Sequence, residues 1–168
     1  MRRGVSALKR SRLTEQDELQ EAIQAFCEAS RAYHEIIRQL PTSPDRCVYL
    51  QGMPGIEAVR IGRTVDLLQR VSRFEYSHCP IEVVLVGECT AYDDAPERAE
   101  AKLFNLLQEI HLSRHNPDLY HKLPTYDWYL PDRRKILDAF TRLCRADAPL
   151  LTRFYKWPLF EQLTKVYS

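Results

Sequence analysis

The segment Ile81-Glu-Val-Val-Leu-Val-Gly87 limits the fold of this chain more than any other feature. β-Branched side chains are stiff against a preceding helical turn but pack well on a pleated surface, and this run is too short and too closely bounded for a globular helix. It is therefore expected to be a buried strand. Its centre, Val83-Val84-Leu85-Val86, is the longest wholly apolar stretch near the middle of the chain. That is far below the roughly 18 residues a membrane span needs, so no membrane partner is expected and the chain reads as soluble. With 168 residues and 45% apolar composition, it can bury one sizeable core but hardly two. The remaining elements must then pack around this strand.

Two shorter strand-like segments precede it, Cys47–Gln51 and Glu57–Ile61, with hairpin-type turn residues Gly52-Met-Pro-Gly55 between them. Gly62-Arg63-Thr64 leads into an expected helix from Val65 to about Phe74, with Thr64 as its N-cap. Val65, Leu68, Val71 and Phe74 define its buried side, and Arg70 points about 120° away, sharing a face with Arg63 and Arg73. After the third strand, Asp94, Pro96 and Glu97 have the spacing of a capping box opening a helix to about His111. Further helices are expected near Asp132–Arg145 and Leu150–Val166, the last kinked or restarted at Pro158. The predicted class is α+β: a small three-stranded antiparallel or mixed sheet in the order β-β-α-β-α, flanked by helices.

The N-terminal third differs in character. Arg2, Arg3, Lys9, Arg10 and Arg12 put five positive charges and no negative ones in residues 1–13, leaving 19 basic against 23 acidic side chains beyond them. Such an arm suits phosphate contacts, because each neutralised phosphate releases counterions. A disordered, solubilising terminus and the start of an organelle transit peptide are the other readings. From Thr14, capped by its own hydroxyl and followed by Glu15, Asp17 and Glu18, a helix to Leu40 carries Leu19, Ile23, Phe26, Ser30, Tyr33, Ile37 and Leu40 at alternating steps of four and three. That is a heptad seam with one polar defect, fit either for homodimerisation or for packing on the same chain. Pro41 and Pro44 end it. The expected organisation is a basic tail (1–13), an amphipathic helix (14–40), a central domain (47–145) and an aromatic helical extension (146–168).

Tyr49 in the first hairpin strand, Arg60-Ile61-Gly62 ending the second, Arg70 on the next helix, Glu100 on the helix after strand three and Asp127-Trp128-Tyr129 downstream occur in that order. This arrangement, from about Cys47 to about Leu143, resembles the GIY-YIG nucleases, closest to the branch of the phage T5 orf172 and meiotically upregulated gene 113 type. In that branch the second signature commonly reads Lys-Ile-Gly, and the domain closes on a Gly-Glu-Trp-Phe-like segment. The resemblance implies a metal-dependent endonuclease that hydrolyses DNA phosphodiesters, with RNA as the alternative substrate. Glu100 would then hold Mg²⁺ or Mn²⁺, Arg70 would bind the scissile phosphate, and Tyr49 would orient or deprotonate the attacking water with Arg60 nearby. Gly62 and Trp128 would be structural, Trp128 packing in the core rather than stacking on a base. Arg63, Arg70 and Arg73, with the tail's Arg2, Arg3, Lys9, Arg10 and Arg12, would contact nucleic acid.

These residue types suit the chemistry, which needs charge stabilisation on phosphate oxygens, a positioned water and an exit for the leaving alkoxide. On the helix from Asp94, Ala99, Leu103, Leu106, Leu107 and Ile110 form one apolar face, and Glu100 lies at its rim, about 80° from the centre. Two departures bear on activity: Arg60 stands where many relatives have a phenol, and Leu103-Phe104 where they often have Leu-His. The alternative is therefore a catalytically inactive module that binds DNA or assembles with partners. Phe154, Tyr155, Trp157, Phe160 and Tyr167 near the C-terminus would either cover the core or bind such a partner. Five cysteines at wide spacing read as reduced thiols rather than a zinc site. His111 and His115 read as a helix end rather than as ligands. A cytoplasmic, nuclear or virion-associated protein is expected, with organelle import if the tail is a transit signal.

Overall fold

The computed structural model describes residues 46–52, 55–67, 69–70, 82–123, 127–157 and 159–168, together with Asp17 and Glu21, which are helical and exposed. The basic tail, the heptad seam and Arg73 lie outside the described residues. The chain divides after Gln39, and every element below belongs to the unit Leu40–Ser168.

The class is α+β, but the sheet has five strands rather than three. They are β1 (Cys47–Gly52), β2 (Val59–Thr64), β3 (Glu82–Cys89), β4 (Trp128–Tyr129) and β5 (Leu151–Lys156), in the spatial order β4-β2-β1-β3-β5 with every pairing antiparallel. The helices are α1 (Ala95–Leu106), α2 (Leu112–His115), α3 (Pro117–Lys122), α4 (Arg133–Arg145) and α5 (Phe160–Leu163), with a 3₁₀ turn at Gln108–Ile110. Strand β1 lies at the centre of the sheet, and all six of its residues are buried.

Register decides which side chains share a face. Leu50 pairs with Ile61 on one side and Leu85 on the other; Tyr49 pairs with Gly62 and Val86, and Gln51 with Arg60. Because side chains alternate across a strand, Val48, Leu50, Val59 and Ile61 project together, and they form the main core with Ala99 and Leu103 of α1, Leu107 just after it, and Ile136, Phe140 and Leu143 of α4. Each large apolar side chain fully buried there contributes about 1.5–3 kcal/mol. Tyr49, Gln51, Arg60 and Gly62 project from the opposite face. A second cluster gathers Ala58, Leu112 and Trp128, with Leu119, Tyr120 and Leu123 packed on it.

Three local expectations are corrected. Asp94 makes no side-chain cap to α1; it pairs with Arg98 at 3.8 Å, and Glu97 turns away to an arginine of β2. The helix expected over Leu150–Val166 is instead β5 followed by the single turn α5, because Leu151–Lys156 can complete the hydrogen bonds of β3 while its one buried residue, Leu151, packs beneath Gly87. That strand makes residues 146–168 part of the same sheet. After Thr64, the N-cap is Asp66 rather than Thr64: its Oδ1 accepts from the Gln69 amide at 2.9 Å, while the Thr64 hydroxyl closes a turn onto Asp66. Val65 is consequently exposed, and Leu67 is the residue that enters the core. By contrast α4 matches its expected span, with Asp132 Oδ1 accepting from the Lys135 amide at 3.2 Å.

One side chain at the start of α4 ties down much of the C-terminal segment. Arg133 donates to the carbonyls of Glu161 (2.8 Å) and Thr164 (2.9 Å) and pairs with the Glu161 carboxylate at 3.0 Å. Among the described residues, no helix is long and apolar enough to cross a membrane.

Candidate active site

Strand β2 carries the site, and two consecutive residues, Gly62 and Arg63, serve its two faces. On the first face Tyr49 is 98% buried, and its phenol oxygen accepts a hydrogen bond from Arg70 Nε at 3.0 Å. The ring lies directly over Gly62: a Cβ there would come within 2.6 Å of both the Tyr49 Cζ and Oη. Glycine is needed at this position because the phenol occupies the volume of any side chain. Arg70 is set by the helical turn that Asp66 caps, its amide bonding the Asp66 carbonyl at 3.1 Å.

On the second face Arg63 reaches α1. Its Nε meets Glu100 Oε2 at 3.0 Å and its Nη1 meets Glu97 Oε1 at 3.0 Å, one planar guanidinium holding two carboxylates a turn apart. Arg63 therefore belongs to β2 and faces α1, and does not share a helix face with Arg70 as the sequence pattern suggested. The Glu100 side chain is 21% exposed. Burial raises its pKa above the ordinary carboxylate range, and the charges of Asp127 and Glu97 push the same way, against Arg63 and Arg60.

Arg60 of β2 pairs with Gln51 of β1 on one side and with Trp128 of β4 on the other. Among the described residues, Arg60 Nε and Gln51 Oε1 are buried without a hydrogen-bond partner. Buried polar groups left in this state cost about 1–3 kcal/mol each. Within β2, strand β4 pairs with Val59 and Arg60, so Gly62 and Arg63 lie beyond its end. Gly62, under the Tyr49 ring, and Arg63, which holds Glu100, are consecutive residues of β2, about 3.8 Å apart along the backbone.

The other sequence candidates take structural places. Trp128 is 2% exposed and Tyr129 1% exposed, both in the core, where neither offers a face for base stacking. Phe104, standing where a histidine is common in the resembled family, stacks on Tyr129 with ring centroids 6.3 Å apart. His111 Nδ1 lies 2.7 Å from the Ser113 hydroxyl, and His115 donates to the Glu109 carbonyl at 2.7 Å. Asn116 caps α3 by accepting from the Leu119 amide at 3.1 Å.

A hard divalent cation requires oxygen ligands and keeps several waters. Glu100 offers a half-buried carboxylate, with Glu97 a turn away and the Asp127 charge near enough to raise its pKa. Glu97 and Glu100 supply carboxylate oxygens of the kind such an ion takes, and both are paired with Arg63. Among the described residues, no group of three or more His, Cys, Asp or Glu is arranged to hold a metal, so an ion here would rest on few protein ligands.

No protein-family model matches the chain, and no curated protein or solved structure matches it. The functional reading consequently rests on the ordered residues Tyr49, Gly62, Arg70 and Glu100 and on the contacts they make.

Two participants escaped the sequence pattern. Glu97 looked like a capping residue, yet its spacing of three from Glu100 on a helix was the signal that one cation could hold both. Gln51 is buried beside Tyr49 because alternation in β1 carries it to the same face, and a glutamine at an inward strand position was the available clue.

Proposed function

We propose that this chain is a metal-dependent endonuclease that hydrolyses DNA phosphodiester bonds through a GIY-YIG-type site formed by Tyr49, Arg60, Arg70 and Glu100. The observation that carries this reading is the 3.0 Å hydrogen bond from Arg70 Nε to the Tyr49 phenol, seated on Gly62. The guanidinium fixes the position of the phenol oxygen and itself stays charged, as arginine does in proteins. Tyr49 Oη would take the proton of the attacking water. The Arg70 guanidinium is a planar fork of the kind that suits phosphate oxygens, and Arg60, whose buried Nε–H is unpartnered among the described residues, adds a second donor on the same face. Glu100 would hold Mg²⁺ or Mn²⁺, which when bound supplies charge stabilisation for the phosphate and the leaving oxygen.

Arg63, Arg70 and Arg73, together with the tail residues Arg2, Arg3, Lys9, Arg10 and Arg12, would supply the phosphate contacts that hold a DNA strand, while a homodimer through residues 14–40 would pair two such sites. A second reading, an inactive module that binds DNA or a protein partner, draws on two observations: Arg63 already occupies Glu100, and Phe104 packs on Tyr129 where a polar group would stand.

One assay separates the two readings. Plasmid, branched and single-stranded DNA are incubated with the protein with and without Mg²⁺ or Mn²⁺, beside Glu100→Ala. Metal-dependent cutting that is lost in the variant is expected. DNA retention without cutting under either ion would overturn the nuclease reading in favour of the binding module.

A further inference from the structure

We propose that the groove between α1 and α4 is a docking site for an acidic amphipathic helix of a partner protein. The groove has a volume of about 650 Å³ and is lined by α1, the end of α4 and the residues that follow it. Its floor is apolar. Leu143 is buried, Leu106 and Leu150 are partly buried against the main core, and Ala101, Ala146 and Ala148 are exposed around them. Alanines leave room for another helix to come close, because the side chains at the contact set the distance between packed helices. The stripe of α1 from Arg98 to Leu106 is about 12 Å long, or two turns, which suits a short helix laid in the groove.

Charge identifies the partner. The polar residues lining the groove are Arg98, Lys102, Asn105 and Arg142, all exposed, and among the described residues no carboxylate lines it. Lys102 makes no ion pair among the described residues. Arg98 and Arg142 pair with carboxylates one turn back on their own helices, Asp94 at 3.8 Å and Asp138 at 2.9 Å. Exposed pairs of this kind are weak and yield readily to another carboxylate. An amphipathic helix satisfies both parts of the groove: its apolar residues, spaced at three and four, enter the floor, and glutamates or aspartates flanking them meet the three cations. A nucleic-acid strand satisfies only one, since no aromatic ring lines the groove among the described residues to stack on its bases. At about 100° per residue, this stripe lies about 170° round α1 from Glu100, so docking here is separable from the proposed nuclease site.

The test titrates the full chain into a fluorescein-labelled helical peptide of about 16 residues, with leucines at i, i+4, i+7 and i+11 and glutamates flanking them, and reads fluorescence anisotropy. A second peptide carries lysine in place of every glutamate. The variants are Lys102→Glu and Arg142→Glu in the groove, Ala101→Gln on its floor and, as a charge-matched control outside it, Lys122→Glu on α3. All four positions are exposed, so none of the changes touches the core. The acidic peptide is expected to bind at least about 10-fold more tightly than the lysine peptide, and Lys102→Glu or Arg142→Glu to weaken it by a similar factor, because like charges across an interface oppose docking. Ala101→Gln is expected to weaken it without changing its salt dependence, and Lys122→Glu to leave it unchanged. Equal binding of the two peptides, or an affinity unmoved by Lys102→Glu and Arg142→Glu, would overturn the proposal. So would either of two other occupants. A single-stranded oligodeoxynucleotide released by those two variants, with no binding of the peptide, would assign the groove to nucleic acid; a dimer mass that falls to monomer in Lys102→Glu would assign it to a second copy of the chain.

Discussion

At the scale of single residues, Gly62 and Tyr49 form one unit. Adding a methyl group at Gly62 brings it within 2.6 Å of a phenol that is itself buried in the sheet and has nowhere to move. Gly62→Ala is expected to cost about 1–3 kcal/mol as an overpacked core does, read as a lowered midpoint in urea. Tyr49→Phe removes only the hydroxyl and should leave that midpoint within about 1 kcal/mol, the net worth of one hydrogen bond. The cysteines give a pH prediction. Burial pushes the Cys47 thiol up to about 12 and the Cys89 thiol up to about 11, from an ordinary value of 9.0. Both folded values lie above the unfolded ones, so the folded state holds more protons between them. Stability contributed by these thiols is thus complete below pH 9 and lost as pH rises towards 11 to 12, by up to about 1.4 kcal/mol per pH unit for Cys47. Denaturation midpoints measured from pH 7 to 10 should fall at the alkaline end, and less steeply in Cys47→Ala. An equal fall in that variant would assign the effect to other groups.

Elements were legible in the sequence where pattern and pairing agree. The β-branched run of β3, the apolar spacing of α1 and the Asp132 cap of α4 follow from period and end signals alone. Failures fell at boundaries and at contacts that only the tertiary structure creates. Ending β2 at Ile61 rather than Thr64 placed Arg63 on a helix, and so separated it from Glu100. At the C-terminus Tyr155, Leu159, Leu163 and Val166 fall at helical spacing, which points to a helix where part of the segment is a strand. What makes Leu151–Lys156 extended is the edge of β3, where Leu85 to Cys89 accept it as a partner. This predicts that a chain ending at Arg145 loses more than an appendage. It would expose the β3 edge and uncover Gly87, and it should be recovered as aggregate or melt without a cooperative transition. A soluble, cooperatively folding truncation would show β5 to be dispensable.

For the whole molecule, the site was half visible in advance. Tyr49, Gly62, Arg70 and Glu100 were marked by order and spacing, and the structure adds that Tyr49 and Arg70 touch while Glu100 is held by Arg63. What spacing could not convey is that Tyr49 packs on Gly62 while the next residue of β2, Arg63, holds Glu100. The proposed dimer belongs to this scale as well: removing residues 1–40 should reduce the mass measured by light scattering from dimer to monomer, and an unchanged mass would exclude the heptad seam as the interface. The central claim is that Tyr49 and Arg70 act together on the scissile phosphate. It is tested most directly by single-turnover nicking of supercoiled plasmid in Mg²⁺ by Tyr49→Phe, Arg70→Gln and the double variant. Residues that act as a unit are not additive, so each single change is expected to slow nicking by about 100-fold or more, with the double variant no slower than the worse single one. Wild-type rates in either single variant, or losses that multiply in the double, would contradict the account.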